Sequence, residues 1–145
     1  MRALKLHHIG FVSPDLAAAV ELLTAAGFEI STAADSDPVQ KASAQFLGVE
    51  TDGRVYVEVL QPTDETSPIS GFLDKRGGGL HHLCFEVEDL EAACLELRQK
   101  GMRMVVEPVD CAALNRTFGY RGDRPARIAF FMVGERLLVE LLEKP

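Results

Sequence analysis

The stretch LHHIGFVSPDLAAAVELLTAAGFEI, residues 6–30, is written a second time at residues 80–104 as LHHLCFEVEDLEAACLELRQKGMRM. The offset is 74 throughout, without a gap, and ten of the twenty-five positions are identical, among them the His-His pair, Asp15/Asp89, Leu23/Leu97 and Gly27/Gly101. A period that long, occurring twice, indicates a duplicated module and not a solenoid. Each copy reads as a short apolar strand followed by a helix of about three turns. Asp15 and Asp89 are placed to cap the helices, because a side-chain oxygen there takes up an orphan backbone N–H. Gly27 and Gly101 stand where a left-handed residue ends them.

Outward from the repeat, each half continues with a hairpin. ASAQFLGV (42–49), a turn at Asp52-Gly53 and VYVEVLQ (55–61) match ARIAFFMV (126–133), a tighter turn at Gly134-Glu135 and LLVELLE (137–143). Overlaying them aligns Phe46 with Phe130, Val57 with Val139, Glu58 with Glu140 and Leu60 with Leu142. With a weakly marked second strand near residues 29–33 or 102–106, each copy predicts β-α-β-β-β. The fold class expected is α+β: one domain of two paired modules, at about 4–62 and 80–145. A linker at 63–79 carries a helix with Ser67 as cap and Pro68 in its first turn. Residues 110–125 lack periodicity and predict a long loop.

Composition narrows the function. The chain has 145 residues, 15 basic against 22 acidic, and a net charge of -7, which excludes a general nucleic-acid binder. No apolar run approaches the ~20 residues of a membrane helix. Strand-like sequence from Leu6 leaves no room for a secretory signal, and the three cysteines fit neither a disulfide framework nor a CxxC site. The expected address is the cytoplasm.

Side chains alternate across a strand, so one histidine of each pair faces each side. Ile9, Phe11, Leu83 and Phe85 suit the face under the helices, which leaves His8 and His82 on the opposite one. Glu58 and Glu140 each set a carboxylate inside an apolar strand, where it is costly unless solvated, paired or bound to metal. A lone His-His pair or a lone strand glutamate is ordinarily a packing or edge feature. Here both interrupt apolar strands at repeat-equivalent positions. Packed about a pseudo-twofold axis, the modules would bring His8, Glu58, His82 and Glu140 to one centre. Imidazole and carboxylate suit a divalent Zn, Fe, Ni, Co or Mn ion, with two octahedral positions left for water or substrate. Cys84, on the face of His82, reads as a small core residue.

At these residues the chain resembles the vicinal oxygen chelate superfamily, which includes glyoxalase I, extradiol dioxygenases, antibiotic resistance proteins and methylmalonyl-CoA epimerase. LHHIGFVSPDLAAAV, SPISGFLDKRGGGLHHLCFEVEDLEAA and the closing LLVELLE are similar to segments of the epimerase branch. The resemblance implies modules forming a cupped mixed sheet, a homodimer, and metal ligation by His8, Glu58, His82 and Glu140. It implies proton abstraction next to a carbonyl, with Glu140 as base as well as ligand, on a 2-substituted acyl thioester or related acid.

Two departures qualify that picture. The family's further catalytic glutamate falls on Ala44 or Gln45, and Gln45 is the candidate there, as a hydrogen-bond donor and not a base. The glycine-rich loop is replaced by CAALNRTFGYRGD, whose cluster Arg116, Arg121, Arg124 and Arg127 could hold an anionic small-molecule substrate. Asn115, Arg116 and Arg127 are the candidate substrate contacts, with Tyr120 open. The rival enzyme reading is a glyoxalase I-like lactoylglutathione lyase. The rival from another class is a non-catalytic binding or resistance protein, and the complete ligand set argues against it.

Overall fold

A computed structural model describes residues 4–145, and among them it contains nine strands and four helices. Contacts divide the chain into two compact units, His8–His81 and, together with the residues up to His7, His82–Pro145. Both mix strand and helix, and the fold class is α+β.

The first unit runs through β1 (Lys5–Val12), α1 (Leu16–Ala25), β2 (Glu29–Ile30), β3 (Asp35–Asp37), β4 (Ala42–Thr51), β5 (Gly53–Pro62) and α2 (Ser70–Arg76). Its strands lie in the order β2-β4-β5-β1, with β3 also paired to β4. β1 and β5 are parallel, and the remaining pairs are antiparallel. Asp15 caps α1 by accepting from Ala18 N at 3.0 Å, and Gly27 leaves the helix at φ +108°. Leu16, Ala19 and Val20 of α1 pack on Leu47 and Val59. Of the strand expected near 29–33 only Glu29–Ile30 forms, and β3 is a separate strand further along the chain. The amides of Ser31 and Thr32 both turn to the Phe46 carbonyl, a bulge that ends β2 early.

The linker helix begins later than Ser67 and Pro68 suggest. The Ser67 hydroxyl donates to the Gln40 carbonyl at 2.6 Å, so α2 starts at Ser70 without a side-chain cap. Its Ile69, Phe72 and Leu73 side pack on Val12, Ala42, Ala44 and Leu60. The chain leaves through Gly77, Gly78 and Gly79, all at positive φ; a Cβ on Gly78 would stand 2.5 Å from the Val12 carbonyl oxygen.

The second unit repeats the plan with β6 (Gly79–Glu86), α3 (Leu90–Gln99), β7 (Arg103–Asp110), α4 (Ala112–Phe118), β8 (Arg127–Val133) and β9 (Leu137–Glu143). The order is β6-β9-β8-β7, β6 and β9 being parallel. Leu90, Ala93 and Cys94 of α3 pack on Ala129, Phe131, Val139 and Leu141. A fully buried leucine such as Leu90 contributes about 2 kcal/mol by burial. The duplication extends to single bonds. Asp89 caps Ala92 N as Asp15 caps Ala18 N. The Leu16 amide donates to the Gln61 side chain at 2.9 Å, and the Leu90 amide to the repeat-equivalent Glu143 at 2.7 Å.

Two expectations are corrected. Residues 110–125 are not all loop: β7 reaches Asp110 and α4 follows, burying Ala113 and Leu114 and ending on left-handed Gly119. Phe11, expected under the helices, is 37% exposed, whereas Phe85 packs on the α3 core. Cys84, Cys94 and Cys111 are all buried. Among the described residues no helix is long and apolar enough to cross a membrane.

Candidate metal centre

In the first unit, parallel pairing puts Gly10 beside Glu58 and His8 beside Tyr56. Partners in a ladder share a face, so His8, Tyr56 and Glu58 project to one side while Val57 and Val59 turn to α1. His8 is 1% and Glu58 4% exposed. The imidazole Nε2 of His8 lies 3.4 Å from Glu58 Oε1. Phe46, the β4 partner of Glu58, stands edge-on to the His8 ring at 5.2 Å and 82°.

The second unit builds the same arrangement from its own strands. Cys84 pairs with Glu140 and His82 with Leu138, placing His82 and Glu140 on one face. His82 Nε2 lies 3.2 Å from Glu140 Oε2, and Phe130 stands edge-on to His82 at 5.9 Å and 82°. His82 is 0% and Glu140 4% exposed.

These pairs fit a divalent ion. Nitrogen and oxygen ligands about 2.1 Å from an ion stand about 3.0 Å apart at right angles and about 3.4 Å apart at the tetrahedral angle. Both observed separations fall in that range. One imidazole with one carboxylate is a donor set for Zn, Mn, Fe, Co or Ni and a poor one for calcium, which takes oxygen ligands.

The remaining candidates lie elsewhere. Gln45 is corrected: it pairs with Val59, on the α1 side of β4, and its amide donates to the Thr32 carbonyl at 3.1 Å. Ala44, paired with Leu60, is the residue on the Glu58 face. Asn115 clamps the chain ahead of β8, accepting from Ala126 N at 2.7 Å and donating to the Arg124 carbonyl at 3.1 Å. Arg127 donates to Glu91 at 2.8 Å and lies 3.3 Å from Asp110. The Glu91 hydrogen bond outweighs burial and holds its guanidinium above the ordinary arginine value. Arg116 is exposed on α4.

Sequence reasoning gave the first histidines, His7 and His81, the opposite face and no more than support of the strand, and it passed over the phenylalanines. Phe46 and Phe130 were aligned by the repeat, and their matching positions were the available signal. His7, 5% exposed, stands edge-on to Phe118 at 5.1 Å, with its Nε2 3.3 Å from the Tyr120 hydroxyl. His81 stands edge-on to Phe72 of α2, also at 5.1 Å.

Comparison with known proteins agrees with this architecture. Residues 7–120 match the model of the family described as Glyoxalase/Bleomycin resistance protein/Dioxygenase superfamily. The chain is 38% identical over 103 residues to the ethylmalonyl-CoA/methylmalonyl-CoA epimerase of Cereibacter sphaeroides, covering 70% of this chain and 74% of that protein. It is 35% identical over 111 residues to human mitochondrial methylmalonyl-CoA epimerase, covering 75% and 61%. The chain thus spans about three-fifths of the length of the mammalian mitochondrial relatives it matches. A Streptomyces coelicolor methylmalonyl-CoA epimerase variant solved with 2-nitronate-propionyl-CoA is similar at TM-score 0.78 and 30% identity, covering 98% of this chain and 99% of that one. The Mycobacterium tuberculosis methylmalonyl-CoA epimerase is similar at TM-score 0.78 and 31% identity, covering 97% and 87%.

Proposed function

This chain belongs to the glyoxalase/bleomycin resistance protein/dioxygenase superfamily, and from that premise we propose that it is a divalent-metal-dependent epimerase of a 2-substituted acyl-CoA thioester. The observation that carries the proposal is the buried His–Glu pair, built twice at the same strand positions in a chain whose relatives include epimerases. By their equivalence in the repeat, His8, Glu58, His82 and Glu140 are the proposed ligand set, two residues from each module. When bound, the ion would polarise the thioester carbonyl and offset the negative charge developing on its oxygen.

The side chains supply the rest. Glu140 takes the proton from the α-carbon, and return of a proton to the other face of the planar enolate inverts the centre. His8 and His82 serve as neutral imidazoles, their rings held by Phe46 and Phe130. Gln45 has no part in the transfer, because its side chain lies on the α1 face. Arg116 remains the contact for the anionic end of the substrate, while Asn115 and Arg127 act within the fold. The proposed assembly is a homodimer. Relatives that are methylmalonyl-CoA epimerases favour this reading over a lactoylglutathione lyase or a ligand-sequestering protein.

The test is exchange in heavy water. Metal-loaded protein incubated with methylmalonyl-CoA should place deuterium at the α-carbon, and Glu140→Ala or a chelator should abolish it. No exchange from any 2-substituted acyl-CoA, with metal demonstrably bound, refutes the proposal.

A further inference from the structure

Past its half-site the second unit holds a cluster that the proposed chemistry does not use. Alternation along β6 places Glu86 on the face of His82 and Cys84, where it pairs with Leu142, one row beyond the Cys84–Glu140 pair. Glu86 holds two cations. Lys144 donates to it and Lys5 lies 3.5 Å away; the carboxylate is 15% exposed and the two ammonium side chains 43% and 74%. Lys144 Nζ also stands 5.5 Å from the Tyr120 ring centroid, and Tyr120 stacks on Phe118 at 5.6 Å and 18°. Arg121 and Arg124 are exposed on the loop after Tyr120, which turns against the same chain end: a Cβ on Gly122 would stand 3.6 Å from that of Pro145.

The cluster sets four basic side chains against two acidic ones, Glu86 and Asp123, in a chain of net charge -7. Burial raises the Glu86 pKa, yet Lys144, His7 and Lys5 hold it below the ordinary value, the mark of a positive local field. Around α2, which closes the same row of the first unit, Lys41, Lys75 and Arg76 are cancelled by Asp64, Glu65 and Asp74. Distance then selects the ligand. Four residues of extended chain separate Glu140 from Lys144, about 13 Å. The arm of a coenzyme A thioester, from sulfur to first phosphate, has the backbone length of about four residues, about 14 Å when extended. We propose that Lys144 and Lys5, gathered by Glu86 and the Tyr120 ring, bind the diphosphate of the acyl-CoA whose thioester lies at Glu140. Phosphate oxygens accept charge-assisted hydrogen bonds from both ammonium groups. The inference rests on the acyl-CoA reading, and it adds two lysines to the arginine proposed for the anionic part of the substrate.

Calorimetric titration with two ligands that share the thioester tests it. Propionyl-CoA carries the phosphates, and S-propionylpantetheine lacks them. Lys144→Gln should weaken propionyl-CoA binding by about tenfold, the loss expected for one hydrogen bond to a charged group, and leave S-propionylpantetheine unchanged. Lys5→Gln alters a side chain that is mostly in solvent and should act in the same direction by about threefold. It also carries the test if Lys144→Gln does not fold. Lys100→Gln removes the same charge at the far end of α3, where Lys100 pairs with Glu96, and should change neither ligand. Losses no larger than that of Lys100→Gln, or equal affinity of the wild type for the two ligands, overturn the inference alone. A wild-type protein that binds neither ligand overturns the acyl-CoA reading, and this inference with it.

Discussion

Exchanging His82 for Leu and Glu140 for Met together converts the second half-site into apolar core. The side chains being replaced are 0% and 5% exposed, and the same face carries Leu138, Leu142 and Phe130. Replacing a buried ion pair by hydrophobic residues of similar volume is commonly neutral or stabilising, by about 1–4 kcal/mol. With about 2 kcal/mol taken as the gain, a chain of this size should melt roughly 6 °C higher than the wild type in chelator. Metal acts in the opposite sense. At a free concentration about 100 times Kd it stabilises the wild type by about 2.7 kcal/mol and the double variant, left with His8 and Glu58, by less, so the gap in melting temperature narrows or reverses. His82→Leu alone leaves Glu140 buried without its imidazole and should cost about 3–5 kcal/mol if the carboxylate stays ionised. Thermal melts followed by circular dichroism, in chelator and in graded cobalt or manganese, check every figure. A double variant less stable than the wild type in chelator would show that the His–Glu pair stabilises the fold for its own sake. A wild-type melt unmoved by every divalent ion would leave the argument without its premise.

Two further outcomes follow from residues outside the half-sites. Asn115→Ala removes two hydrogen bonds that hold the approach to β8 and should destabilise by about 1–2 kcal/mol. It should change KM for an acyl-CoA no more than Arg127→Ala does, whereas a large rise in KM with unchanged stability would return both to the substrate. Glu86 gives a pH signature. Burial pushes its pKa up, but the hydrogen bond and charge of Lys144, with His7 and Lys5 adding, hold it below the ordinary glutamate value. A depressed folded pKa gives stability that is present above the ordinary carboxylate range and lost as pH falls through the folded value. Denaturation midpoints measured downward from neutral pH should therefore fall less steeply for Glu86→Gln than for the wild type. Parallel curves would contradict the assignment.

The repeat made the modules legible because caps, strand alternation and hairpin turns are local properties. Asp15 and Asp89, and the face carrying His8 and His82, needed only the residues beside them. α4 was hidden because Cys111 offers it no capping hydrogen bond and its seven residues give little more than one apolar turn, Ala113 and Leu114. Its one sequence signal was Gly119, which takes the left-handed C-terminal conformation. Gln45 failed for a different reason. A one-residue choice between Ala44 and Gln45 decides which face of β4 is meant, and an alignment without pairing partners does not settle register. Arg127 looked available for substrate because Glu91, thirty-six positions away, becomes its neighbour only when α3 and β8 are packed.

The three glycines between α2 and β6 have a consequence for substitution. Gly77 is exposed and Gly78 half-buried, yet no side chain can be added at Gly78 without meeting the Val12 carbonyl at a φ of +103°. Solvent exposure and mutational tolerance come apart there. A saturation library scored on folded yield should find Gly78 as restricted as His82, though it touches no ligand. Ranking positions by intolerance alone would draw this joint between the two copies into the proposed centre. Only the reason for the intolerance, backbone in one case and donor atoms in the other, separates them.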